Sequence, residues 1–349
     1  MIRALRSPLL SLAVAFALGA GVPVAVMAQT SVPKAAEPPA TAQAAHQPFS
    51  IGNSQIIPIE SKHTGRKHEL VVVLPASYAA NPDRKYPVFY YLDAYWDTPM
   101  VSAVVGNLLY DNQVPEMILV GFSYPAGADY GRERALDYTP TAEGEGSGKG
   151  RQFLDFIRCE AVPLIESRFR GASTDRVLGG SSLAGLFSIA AAYMAPDFFA
   201  AHIAISPAVM WDKEVMFKTD DEYAKAKQPL RSRMFVSYGS SEHPRFRQPI
   251  ERFQQRLAKR AYAGLALQNH VMPDLEHAGV KADGYTRGLI WAWNANKPAG
   301  PSGLDRSMGP NWVAGPNDLP RAGARNGYAR HDPRDRMTAA AQATAAHVN

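Results

Sequence analysis

The stretch Arg176-Val-Leu-Gly-Gly-Ser-Ser-Leu-Ala-Gly-Leu186 decides how this chain of 349 residues is read. An apolar, β-prone run leads into it, a run of helical period leaves it, and two serines stand at the join among glycine and alanine. A strand that turns straight into a helix forces the residue at the bend into a strained backbone conformation. Only small neighbours tolerate that bend, and it pushes the side chain outward. This is the form of a nucleophile elbow. Ser182 has Gly180 two before it, Ala184 two after and Gly185 three after, whereas Ser181 has the bulky Leu183 two after, so the spacing selects Ser182. A helix starting at Leu183 aims its first free amides at the site, which makes the Leu183 N–H a candidate oxyanion donor.

Working outward, short apolar runs alternate with segments of helical period. Strands are expected at 69–74, 86–92, 117–124, 176–179, 201–206, 234–238 and 266–272, most of them continuous apolar runs that suit burial on both faces. Helices are expected at 151–169, 183–194, 248–262 and 283–293, with Pro163 kinking or dividing the first. Alternation of this kind predicts an α/β fold, a mostly parallel central sheet with helices on both faces. No internal repeat of fixed period is present.

A serine nucleophile needs a base and an acid, and hydrolase folds with this elbow supply them in the chain order serine, acid, histidine. His277, in Pro-Asp-Leu-Glu-His-Ala-Gly after a late strand, fits the base. Glu242, directly after the strand 234–238, fits the acid that orients the imidazole, and Asp274, three residues before His277, is its rival. A second oxyanion donor is expected after an early central strand, where Tyr86-Pro-Val-Phe-Tyr-Tyr-Leu-Asp-Ala-Tyr-Trp96 places the Tyr95 amide.

Charge sets further bounds. The chain carries a net +5, of which Arg3 and Arg6 supply two and the residues from Lys297 onward three, leaving 29–295 neutral. A neutral body has no electrostatic footprint for nucleic acid. The single cysteine, Cys159, cannot form an internal disulfide, no Cys/His cluster has zinc-ligand spacing, and neither metal nor organic cofactor is expected. Two arginines followed by an uncharged apolar run to about Met27 read as a signal peptide cut near Ala28, the competing reading being an uncleaved membrane anchor. Cleavage would leave an exported protein, periplasmic or secreted, with no stable membrane insertion. The expected organisation is therefore signal peptide 1–28, unstructured linker 29–48, catalytic domain 49–295 and an unstructured basic tail 296–349.

With these residues placed, the chain from about Ser50 to Trp293 resembles the Putative esterase family of the α/β-hydrolase superfamily. That family includes enterochelin-type siderophore esterases, S-formylglutathione hydrolase, feruloyl and acetylxylan esterases and mycolyltransferases. The likeness rests on Tyr-Tyr-Leu-Asp-Ala-Tyr, on Arg134-Ala-Leu-Asp-Tyr-Thr-Pro-Thr141, on the helix Phe153 to Glu166, on the elbow and on Glu-His-Ala-Gly. It implies Ser182 as nucleophile, His277 as base, Glu242 as acid and the amides of Tyr95 and Leu183 as oxyanion hole. Ala94 and Ala184 stand where the family usually has glycine, which predicts a narrowed site. The resemblance further implies hydrolysis of a small-molecule carboxylic ester, of siderophore type by the likeness of 132–141. Arg132 and Arg134 are candidates for an acidic substrate, or for ion pairs with Glu133 or Asp137. Trp96 and Trp211 are further candidate contacts, and 207–230 is a candidate cap over the pocket. The same residues would also serve acyl transfer to a sugar or lipid hydroxyl, and a scaffold whose triad did not work together would be an exported binding protein.

Overall fold

The computed structural model describes residues 50–308. The expected signal peptide and linker, 1–48, residue 49 and the tail from residue 309 lie outside the described residues. Eight strands form one sheet: β1 Ser54–Glu60, β2 Lys67–Val73, β3 Tyr86–Tyr91, β4 Ile118–Ser123, β5 Gly171–Ser181, β6 Ala201–Ile205, β7 Ser232–Gly239 and β8 Leu265–Met272. Their order is β1-β2-β4-β3-β5-β6-β7-β8. The β1–β2 and β2–β4 pairs are antiparallel and the rest of the sheet is parallel. This is the α/β-hydrolase fold, an eight-stranded, mostly parallel sheet with helices on both faces.

Nine α-helices accompany it among the described residues: α1 Ala94–Tyr110, α2 Tyr130–Tyr138, α3 Gly150–Phe156, α4 Val162–Arg168, α5 Leu183–Met194, α6 Trp211–Lys225, α7 Pro244–Arg260, α8 Val280–Trp293 and α9 Gly303–Met308. Alternation along β3 shows how the sheet holds them. Val88 and Tyr90 face a core with Phe153, Phe156 and Phe187, from α3 and α5. Phe89 and Tyr91 face the opposite core with Val101 and Val105 of α1 and Leu289 and Trp293 of α8. A third cluster joins Leu186 and Ile189 of α5 to Met216 of α6 and Ile250, Phe253 and Leu257 of α7. Residues with the strand period of two thus feed both layers, the reason the strands read as continuous apolar runs.

The helix expected at 151–169 is continuous but changes its winding. A π-turn, Ile157–Ala161, separates α3 from α4, and the Val162 amide donates to the carbonyl of Ile157, five residues back. Pro163, which has no N–H to give, follows directly at the start of α4, so the shifted register absorbs it without breaking the helix. The segment 207–230, read as a cap, forms α6, whose body joins the helical layer. Asp220 is buried there and accepts from Tyr193 (2.9 Å), Tyr262 (2.6 Å), Arg256 (2.5 Å) and Arg260 (2.9 Å). Between residues 296 and 308 the chain is more structured than its composition suggests: α9 forms, and Asn112 donates to the carbonyl of Pro301 at 2.5 Å.

Candidate active site

The strands end where the reactive groups gather. Ser182 follows β5 directly and caps α5, with φ 62° and ψ −120°, a conformation strained for any residue with a side chain. Bonds from both sides hold it: its N–H donates to the carbonyl of Ile205 at 3.0 Å, and its carbonyl accepts from Leu186 (2.9 Å) and Ala208 (3.0 Å). Glycine at 180 is required by packing, because a methyl there would lie 2.5 Å from the Ala184 Cβ. Ser181 is buried and its hydroxyl has no partner among the described residues, whereas Ser182 is half-exposed.

Facing Ser182 stands His277, its Nε2 3.1 Å from the serine Oγ. Its Nδ1 lies 2.9 Å from Oε2 of Glu242. Glu242 is buried, and its other oxygen accepts the Gly239 amide at 2.8 Å. Burial alone would raise its carboxyl, but the hydrogen bonds from His277, the Gly239 amide and Ser206 outweigh that and hold it below the ordinary glutamate value. The rival acid, Asp274, is exposed at φ 59°, with its amide donating to Ser240 Oγ at 2.9 Å. His243 is a helix cap, its Nδ1 accepting from the Arg245 amide at 3.2 Å.

Ser206, which the sequence reading passed over, completes the cluster. Its hydroxyl donates to Glu242 Oε2 and lies 2.9 Å from His277 Nδ1. A Ser-Pro pair closing a buried strand was the available signal, since such a step marks a sharp turn at a strand end.

Both candidate oxyanion amides lie in the first turn of a helix, where N–H groups have no intrahelical acceptor: Leu183 opens α5 and Tyr95 is second in α1. The expectation of a narrowed site is corrected by the two alanines. Ala184 and Ala94 are buried, and their methyls pack against Gly180 and Gly121, where an added Cβ would come within 2.5 Å. Each extra methyl therefore occupies room left by a neighbouring glycine instead of entering the cleft.

Arg134 is also reassigned. Its Nε and Nη2 donate to the two oxygens of Asp93 at 2.9 and 2.8 Å, and Asp93, at φ 57°, is the residue from which α1 springs. The guanidinium is thus committed to the turn that carries Tyr95. Glu133 and Asp137 pair with Arg66, not with Arg132 or Arg134. Arg132 is exposed, and its side chain has no partner among the described residues. Trp211 is half-buried and donates its indole N–H to the carbonyl of Thr141 at 3.1 Å, tying the start of α6 to the loop before α3. Trp96 is exposed beside Tyr95, and Tyr95 stacks on Tyr130 with ring centres 4.4 Å apart, so an open aromatic surface borders the Tyr95 amide. Among the described residues no three His, Cys, Asp or Glu side chains are grouped so as to hold a metal ion.

A hydroxyl, an imidazole and an ionised carboxylate in one hydrogen-bonded line can move a proton off the hydroxyl as it attacks a carbonyl, and the two helix N-termini offer amides to the oxygen that becomes charged. The fold is that of the α/β-hydrolases, and the family match makes this chain an ester-hydrolysing enzyme. The chain belongs to the Putative esterase family, whose model matches residues 61–282. It is 25% identical over 201 residues to the ferri-bacillibactin esterase BesA of Bacillus subtilis, covering 52% of this chain and 69% of that protein. It is 32% identical over 136 residues to a siderophore triacetylfusarinine C esterase of Aspergillus fumigatus, covering 36% of this chain and 47% of that one. Among solved structures, the BES protein of Bacillus cereus superposes with a TM-score of 0.64 at 23% identity, over 71% of this chain and 97% of its own. An IroE-like serine hydrolase of Shewanella oneidensis gives 0.63 at 24% identity, over 69% and 80%.

Proposed function

We propose that this enzyme cleaves a siderophore-type carboxylic ester through a covalent acyl-serine intermediate. Ser182 Oγ attacks the ester carbonyl carbon while His277 Nε2 takes its proton, and the imidazolium then gives that proton to the departing alcohol. Water attacks the acyl-serine by the same route and releases the acid. Glu242 keeps Nδ1 protonated and stabilises the transient cation. The amides of Leu183 and Tyr95 receive the oxyanion. The observation that carries this reading is the unbroken line from Ser182 through His277 to Glu242, with contacts of 3.1 and 2.9 Å. The siderophore class is supported by the names of both curated relatives, and the aromatic surface at Tyr95, Trp96 and Tyr130 suits a substrate with planar groups. We further propose export, with a mature N-terminus after Ala28.

The test is hydrolysis of short p-nitrophenyl esters and of a ferric-siderophore panel by wild type and Ser182→Ala. The variant is expected to lose at least about 10⁴-fold in kcat, and a fluorophosphonate probe to label the wild type alone at Ser182. Turnover that survives intact in Ser182→Ala would exclude the mechanism, and wild-type indifference to every siderophore ester would exclude the substrate class. The N-terminal sequence of protein recovered from an exporting cell tests the cleavage.

A further inference from the structure

We infer that Ser206 is a positioning residue of the hydrolytic machinery, a fourth member that acts through Glu242 and His277. The inference rests on the mechanism proposed above. Three observations converge on it. The hydroxyl has one proton, which it gives to Glu242 Oε2, the same oxygen that the imidazole addresses. Its lone pair then faces His277 Nδ1 at 2.9 Å, so the Nδ1–H is shared between the carboxylate and the serine oxygen. The side chain is fully buried, where water cannot replace a missing partner.

The backbone gives the second line of argument. Ser206 has φ 42°, a left-handed conformation that glycine adopts freely and a residue with a side chain does not. Retaining a serine there sets conformational strain against a hydrogen-bonding hydroxyl. The turn is fastened by the Ser206 amide, which donates to the carbonyl of Ser237 at 2.6 Å. Its two flanks are fastened to the elbow, through Ile205 to the Ser182 amide and through Ala208 to the Ser182 carbonyl. One short turn therefore registers nucleophile, acid and base against one another.

The chemical consequence concerns proton affinity. A second donor on Oε2 spreads the carboxylate charge and keeps the carboxylate from drawing the Nδ1 proton onto itself. Without the hydroxyl Oε2 loses one donor and the Nδ1–H loses one acceptor, so both ends of the contact that orients the imidazole toward Ser182 change together. The other charged groups around His277 are already engaged or turned outward. On α7 Arg247 donates to the Ser240 carbonyl at 3.4 Å and lies 3.8 Å from Glu251, and on α8 Lys281 is held by Asp97 at 2.7 Å. His243 caps α7, and Asp274 and Glu276, on the histidine's own loop, are exposed. Phe246 of α7 covers the ring at 4.4 Å.

The experiment compares pH profiles of kcat and kcat/KM for wild type, Ser206→Ala, Ser206→Gly and Ser182→Ala on one p-nitrophenyl ester. Ser206→Ala is expected to lower kcat by about tenfold to a hundredfold, the worth of a hydrogen bond to a charged group. KM stays unchanged and the acid limb of kcat/KM is displaced from that of wild type. Ser206→Gly lacks the same hydroxyl but relaxes the backbone, so it should repeat both effects and stay folded if alanine does not. An acid limb and kcat that match wild type in the folded variants would overturn the inference, as would a glycine variant that recovers full activity, since strain alone would then be at work. Ser182→Ala separates the two levels: activity that persists there overturns the underlying mechanism, whereas its loss beside an unaltered Ser206→Ala overturns only the role of Ser206.

Discussion

Replacing Arg134 with methionine is the perturbation that best separates a positioning role from substrate binding. The substitution keeps an unbranched apolar stem and removes both N–H donors from Asp93, whose side chain is 3% exposed and whose partner is 19% exposed. Breaking a buried pair by deleting one partner costs about 3–5 kcal/mol, because the surviving carboxylate stays out of water uncompensated. For a domain of this size each kcal/mol moves Tm by about 2–4 °C, so the drop should be roughly 6–20 °C. Asp93 heads α1, two residues before Tyr95, so a loosened Asp93 turn also misplaces the proposed oxyanion amide, and kcat should fall by about 10²-fold with little change in KM. Thermal unfolding followed by circular dichroism, together with steady-state ester hydrolysis, reads both quantities. Asp93→Asn in the same background should recover part of the stability, since it removes the stranded charge. A variant with wild-type Tm and a raised KM would refute the reasoning, for the guanidinium would then be serving the substrate.

Three further outcomes are expected. Gly180→Ala brings a methyl to 2.5 Å from the Ala184 Cβ and 2.9 Å from its carbonyl carbon, so denaturant unfolding should show a loss of about 1–3 kcal/mol; Ala184→Gly should restore only part of it, because the backbone contact remains. Burial, aided by the charge of Arg66, holds His68 neutral down to about 3 against an ordinary 6.5. The unfolded chain takes up a proton between those values that the folded chain does not, so stability is complete above the ordinary value and is lost as pH falls through the window. Tm of His68→Gln should fall less steeply over that range, although from a lower start because the stacking on Phe156 is gone; an unchanged slope would count against it. Asp220→Ala leaves the buried Tyr193 hydroxyl without its acceptor and takes one of two carboxylates from Arg256 and Arg260, which keep Asp221, so it should lower Tm while leaving kcat near wild type; equal loss of both would place Asp220 in the active site.

The sequence by itself determined the features that depend on near neighbours. β3, β4, β6 and β7 were legible because they are buried on both faces and read as apolar runs, and α5 begins at Leu183 as its periodicity indicates. The elbow was legible because its steric demands fall on residues within a few positions of Ser182. β1 escaped notice because it is an edge strand, carrying Pro58 and buried only at Ile57. α1 was hidden by Pro99 and by the exposed Tyr95 and Trp96 in its first turn. Tertiary structure alone decided the rest of the site, since the partners are separated by 35 to 95 residues and their union depends on where each strand ends and which way each side chain leaves it. Glu242 and Asp274 are chemically equivalent candidates on paper; the tight turn after β7 buries the first against the imidazole, and a left-handed residue exposes the second. Arg134 looked free to meet a substrate until the sheet brought Asp93 to it, and Ser206 had no visible purpose until β6 and β7 were laid side by side. Spacing fixes what a backbone can do locally, but a charge or hydroxyl acquires its role from the group that folding places opposite it.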